Sequence, residues 1–158
     1  PQLQIDPAAH RFEHSIEVQV PLLQYLQPDV QIVPICLGSG TLDTWLELGT
    51  ALGSALNEWA EDVLIVASSD MNHFLSAEET ERRDRLAIDA VLALDPVLLW
   101  QTVREHRISM CGVIPALVML QAVLQRGASQ CELVHYGHSG DVNGDMSRVV
   151  GYAALAVS

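Results

Sequence analysis

One stretch constrains this chain more than any other. It is the run Val63-Leu-Ile-Val-Ala-Ser-Ser-Asp70-Met-Asn-His73, followed by Phe74, Leu75 and Ser76-Ala-Glu-Glu79. Residues 62–69 are almost wholly apolar, with no polar alternation, which is the pattern of a strand covered on both faces as in parallel sheets. Ser76 and Glu79 have capping-box spacing and predict a helix running to about Leu94. A strand buried on both sides must be flanked by helices, so the expected class is α/β.

The rest of the chain fits that frame. Residues 30–37 predict a second strand. A helix is expected over 41–60, capped by Thr41, with Trp45, Leu48, Leu52, Leu56 and Trp59 on one apolar face. Residues 15–26 predict a helix kinked at Pro21. Further helices are expected from Pro96 to about His106 and from Pro115 to about Arg126, each with proline in its first turn. Residues 131–137 and 147–157 predict two closing strands. The expectation is a single domain over residues 1–158, with a largely parallel or mixed sheet flanked by helices.

Composition narrows the function classes. The 158 residues are 49% hydrophobic, too apolar for bulk disorder. Twenty acidic residues against eight arginines and no lysine give a net charge of -12. Such a field repels phosphate backbones and anionic lipid surfaces, so neither nucleic acid nor membrane is an expected partner. The longest apolar stretch, around residues 111–124, is interrupted by Gly112 and Pro115 and suits a buried helix better than a membrane span. Three well-separated cysteines (Cys36, Cys111 and Cys131), with no secretory signal at the first residues, point to free thiols in the cytoplasm.

Four sites carry candidate chemistry. His10-x-x-Glu13-His14 has the spacing of a zinc-peptidase motif, but Pro7, Ala8 and Ala9 place His10 outside any helix that begins near Glu13, so a peptidase site is disfavoured. Asp70 and His73 lie just past the carboxyl end of the 62–69 strand, where α/β proteins bind ligands; their three-residue separation lets the carboxylate orient an acid/base imidazole. A loop carboxylate that caps backbone N–H groups explains Asp70 equally well. Cys111 precedes a helix start, which favours thiolate character over that of Cys36 or Cys131, although simple packing competes as its role. Residues 137–145 hold Gly137, Gly140, Gly144, Asp141 and Asp145; Met146 and Tyr152 stand where a calcium loop needs Gly and Glu, so a turn lining a pocket is expected instead. The chain has no G-x-G-x-x-G, P-loop or G-x-S-x-G.

Three collinear stretches together resemble one family. Glu13-His-Ser-Ile-Glu17 with the following Val-Gln-Val-Pro-Leu-Leu, Ser68-Ser-Asp-Met-Asn-His73 with Cys111-Gly112 downstream, and Gly137-His-Ser-Gly-Asp-Val-Asn-Gly-Asp-Met-Ser-Arg148 are similar to the Memo family, in its prokaryotic form AmmeMemoRadiSam system protein B. The resemblance implies the fold of LigB-type class III extradiol dioxygenases, here incomplete. By this match the chain corresponds to roughly the last three fifths of a full member, and the family's segment with two ligand histidines is absent from it.

The resemblance further implies a metal-dependent, dioxygenase-like oxidoreductase using non-haem Fe(II) or copper. Cys111 would be a metal ligand, His73 the acid/base and Asp70 its orienting carboxylate. Glu13, His14, Ser139 and Asp141 would line the site. A small-molecule substrate, radical-SAM pathway proteins and a homo-oligomeric assembly are the implied partners. The alternative it carries is a non-catalytic module binding a ligand or peptide in the same pocket.

Overall fold

A computed structural model describes residues 3–59 and 62–158. Positions 1, 2, 60 and 61, including the last residue of the helix expected over 41–60, lie outside the described residues. Among the described residues, six helices and three strands follow in the order α1 (Val20–Leu26), α2 (Leu42–Asn57), β1 (His73–Leu75), α3 (Ala77–Leu92), α4 (Pro96–Glu105), α5 (Val113–Gln125), β2 (Cys131–His138), α6 (Gly140–Asn143) and β3 (Val149–Val157).

The helices form where caps and apolar stripes agree. Thr41 accepts the Thr44 N–H at the start of α2, and Ser76 accepts that of Glu79 at the start of α3. The capping box at α3 is half made, because the Glu79 carboxylate turns away to Arg82 and Arg83. Asp95 accepts from Val97 and Leu98 to open α4 at Pro96. The α5 helix begins at Val113, two residues ahead of Pro115, with Gly112 as its cap residue. Pro21 does not kink a longer helix: residues 15–19 are turns, and the proline sits in the first turn of α1, where its missing N–H costs nothing.

The sheet departs from expectation. Its order is β1-β3-β2, and both pairings are antiparallel. No parallel pairing occurs among the described residues. Residues 30–37 and 63–69 run without strand assignment, and Val33 and Leu64 are 86% and 77% exposed. Their composition fits strands, but strand propensity records the surroundings a segment suits and not which neighbour it finds. The 63–69 segment meets the sheet only past its end, where Met71 donates to the Gly151 carbonyl at 2.9 Å and Gly151 donates to the Asn72 carbonyl at 3.0 Å.

Two apolar clusters meet at Trp100. The larger gathers Ile88 and Val91 of α3, Leu99 and Val103 of α4 and Leu120 of α5 beneath the sheet. The smaller holds Trp45 of α2 with Leu117 and Val118 of α5, and the Trp45 ring meets the Trp100 ring edge-on at 4.9 Å. Trp59, expected on the α2 face, lies beyond the helix end and is 63% exposed. No described helix is long and apolar enough to cross a membrane.

The α2–α5 contact depends on two glycines one turn apart. A Cβ on Gly49 would stand 2.8 Å from the Val118 carbonyl oxygen, and one on Gly53 would stand 2.5 Å from that of Ala122. Helix backbones approach this closely only where side chains are absent. Gly53→Ala should therefore force the helices apart and cost about 1–3 kcal/mol. The check is a thermal melt, with the midpoint expected to fall by about 2–4 °C per kcal/mol; an unchanged midpoint would show that the helices separate freely.

Candidate functional site

The carboxyl end of residues 63–69 and the turn before α5 are fastened together. Gly112 N–H donates to Ser69 Oγ at 2.8 Å, and Ser69 Oγ donates to the Asp70 carbonyl at 2.6 Å. Asp70 N–H points at Cys111 Sγ at 3.2 Å. Position 112 must be glycine, since a Cβ there would lie 2.5 Å from both the Ser68 carbonyl oxygen and Ser69 Cβ. Chain segments some forty residues apart are thereby brought into one corner.

His73 enters the corner from β1. It pairs with Val150 of β3, and the register shifts between His73 and Leu75. The shift is absorbed at Phe74, whose φ of 64° lies in the left-handed region that a non-glycine residue adopts at a cost of about 1–2 kcal/mol. Strain of this kind persists where the surroundings over-determine the backbone. Phe74 itself is held between the His73 ring, at 5.5 Å, and the Arg148 guanidinium, 4.7 Å above its face.

The corner gathers Asp70, His73 and Cys111. One carboxylate oxygen, one imidazole nitrogen and the sulfur all lie within 4.8 Å of one another. His73 Nε2 stands 3.5 Å from Asp70 Oδ2, with the side chains 20% and 48% exposed. Three different donor types thus face one accessible point.

Behind the corner lies a buried carboxylate. Asp84, fully buried on the inner stripe of α3, accepts from Asn72 N–H at 2.7 Å and from the Tyr136 hydroxyl at 2.9 Å. Burial pushes the Asp84 carboxyl above its ordinary value near 3.8, against the pull of those two donors. Burial, and then Asp84 itself, likewise raise the Tyr136 phenol. Gly151 of β3 passes directly against Asp84 Oδ2, leaving no room for a Cβ.

The remaining predicted residues fall elsewhere. Glu13 and His14 are exposed in a turn region, and Glu13 accepts the N–H groups of His14 and Ser15, which lower its pKa, the Ser15 contact most. Their turn is tied to the corner indirectly, through Ser68 Oγ donating to the Ser15 carbonyl at 2.8 Å. His10 lies in a turn, so His10, Glu13 and His14 share no helix. Ser139 exchanges hydrogen bonds with Val150, and Asp141 accepts the His138 N–H at 2.7 Å. The 137–145 loop closes through α6 and Gly144 at φ 79°, and Asp145, its carboxyl pKa lowered by Ser147, caps the following turn. A separate hollow of about 650 Å³ lies between residues 3–10, residues 33–39 and α2, and it contains none of Asp70, His73 or Cys111.

Sequence reasoning missed two contributors. Ser109 carries no motif and matters only through contacts 36 residues away. Asp84 had a faint signal: it is a carboxylate on the helical stripe occupied by Thr80, Ala87, Ile88 and Val91.

A family model described as Memo-like protein matches residues 2–156. A MEMO1 family protein of Methanococcoides burtonii is 44% identical over 98% of this chain and 59% of its own length. Those of Methanosarcina acetivorans and Archaeoglobus fulgidus are 42% and 45% identical over 96% and 95% of the chain, each over 57% of its own length. The chain therefore spans less than two thirds of the length of the curated relatives it matches.

The Asp84 shift has a measurable sign. In the unfolded chain this carboxyl ionises near 3.8, whereas the folded state keeps the proton to higher pH. Within that window the native state binds more protons, so stability falls as pH rises. Asp84→Asn, with no proton to lose, should flatten the fall. Urea midpoints from about pH 4 upward measure it; parallel wild-type and Asp84→Asn profiles would show that Asp84 titrates as it does unfolded.

Proposed function

The chain belongs to the Memo-like family, and from that premise we propose that it serves as a metal-dependent, dioxygenase-like oxidoreductase acting on a small molecule. The observation that carries this is the convergence of Asp70, His73 and Cys111 within 4.8 Å. The donor set fits the proposed metal. Thiolate and imidazole suit iron or copper, while a magnesium or calcium site would be built from oxygen.

The residues divide the work. Cys111, locked by Gly112 against residues 68–69, is the metal ligand. A redox metal held there would supply the dioxygen chemistry that side chains lack. His73 offers Nε2 toward the same point and takes or returns the substrate's proton. Asp70, 3.5 Å from that nitrogen, steadies the ring at its outer end.

The test is the metal content of anaerobically purified protein, wild type against Cys111→Ser. Near-stoichiometric iron or copper in the wild type, with at least a tenfold loss of affinity in Cys111→Ser, is expected. Aerobic turnover of a catechol-like compound should be lost in both Cys111→Ala and His73→Ala. Wild type that takes up neither metal would end the proposal.

A second reading rests on Arg148. Its guanidinium, 4.7 Å over the ring of Phe74, the residue after His73 in the chain, is a cation suited to an anionic ligand or peptide held without turnover. Saturable binding that survives chelation and is lost in Arg148→Ala would favour it.

A further inference from the structure

His73 has two ring nitrogens, and the structure gives them unequal partners. Nδ1 lies 2.7 Å from the carbonyl oxygen of Ser109, a full hydrogen bond to an acceptor that has no proton to give. Nε2 lies 3.5 Å from Asp70 Oδ2, too far for a bond of comparable strength. In the neutral ring the single proton therefore belongs on Nδ1. That leaves the Nε2 lone pair facing Asp70 and Cys111, the nitrogen that a metal or a substrate proton would need.

The Ser109 carbonyl does not hold this position alone. Ser109 Oγ accepts the His73 backbone N–H at 2.7 Å, so ring and backbone of His73 are gripped by the same residue. Ser109 is in turn held by Asn72, whose Oδ1 accepts both the Ser109 N–H and its hydroxyl, each at 3.2 Å. Asn72 is 1% exposed, and its own N–H is tied to Asp84. From the other side, Arg83 donates to the carbonyls of His106 and Arg107 at 3.2 Å each, bracing the turn that delivers Ser109. Every link is directional, and the chain ends on a buried carboxylate.

We propose that Ser109 and Asn72 are positioning residues that hold His73 as its Nδ1–H tautomer and so present Nε2 to the Asp70–Cys111 corner. This deepens the function proposed above, because it concerns the same site, but it makes a claim about the metal-free protein that stands or falls by itself. Asp70 and Ser109 bracket the ring from opposite ends: Ser109 fixes the tautomer, and Asp70 steadies the Nε2 end.

The experiment is ¹⁵N NMR of the histidine rings in metal-free protein, at a pH where the rings are neutral, with His73 assigned by its loss in His73→Gln. The wild type should show a protonated-type Nδ1 and an unprotonated-type Nε2. Ser109→Ala removes the hydroxyl that grips the His73 backbone and bonds Asn72, and the two shifts should move toward an averaged pair. Ser109→Thr, which keeps the hydroxyl, should restore the wild-type pattern, and Asn72→Ala should repeat the effect of Ser109→Ala. Should Asn72→Ala fail to fold, Ser109→Ala decides alone, since position 109 is exposed. A wild-type ring protonated on Nε2 overturns the proposal, and so does a natively folded Ser109→Ala with unchanged shifts. A wild-type Nδ1–H ring in a protein that takes up no metal upholds it while removing the oxidoreductase function.

Discussion

The interlock of residues 68–72 with residues 109–112 is the constraint on which the rest of the site depends. Ser69 receives Gly112, Asp70 points its N–H at Cys111, and Asn72 receives Ser109. Each of these bonds joins the end of an extended segment to the turn that launches α5. Because Gly112 has no side chain, the two backbones meet without an intervening layer. The thiol and the imidazole owe their proximity to this seam rather than to any contact with each other.

The seam is anchored by a group that never reaches the site. Asp84 ties the Asn72 backbone to α3, accepts from Tyr136 on β2 and forces Gly151 of β3 to remain bare. A carboxylate in this setting is costly to desolvate, and its bonds return part of that cost. What it gains is direction: a helix, a strand end and two sheet strands are referred to one atom pair. Apolar packing alone would hold these elements close without fixing their angles.

Much of this was legible in the sequence, though unevenly. Caps at Thr41 and Ser76, and the proline at position 96, mark helix starts because they are local chemistry, satisfied within the first turn. Sheet direction was not legible. The apolar run at 63–69 announces burial on both faces, but pairing is decided by distant segments, and β3 takes antiparallel partners on each side. Asp70, His73 and Cys111 stood out as candidates after an apolar run and before a helix, where ordinary loop and packing roles competed, and the family resemblance supplied their site roles. Ser109 could not stand out, since its carbonyl is an atom every residue owns and its hydroxyl acts only on partners more than thirty residues away in the chain.

Among the described residues no backbone hydrogen bond reaches 63–66, so donors and acceptors lie open beside exposed Val63, Leu64 and Val66. Such an edge is a template for adding another strand, including one from a second molecule. What stands against that is the net charge of -12, since like-charged copies repel before their edges meet. That protection is colloidal, not structural, and it vanishes near the isoelectric point of about 4.6. The acidity that first argued against anionic partners thus also sets copies of this segment against one another.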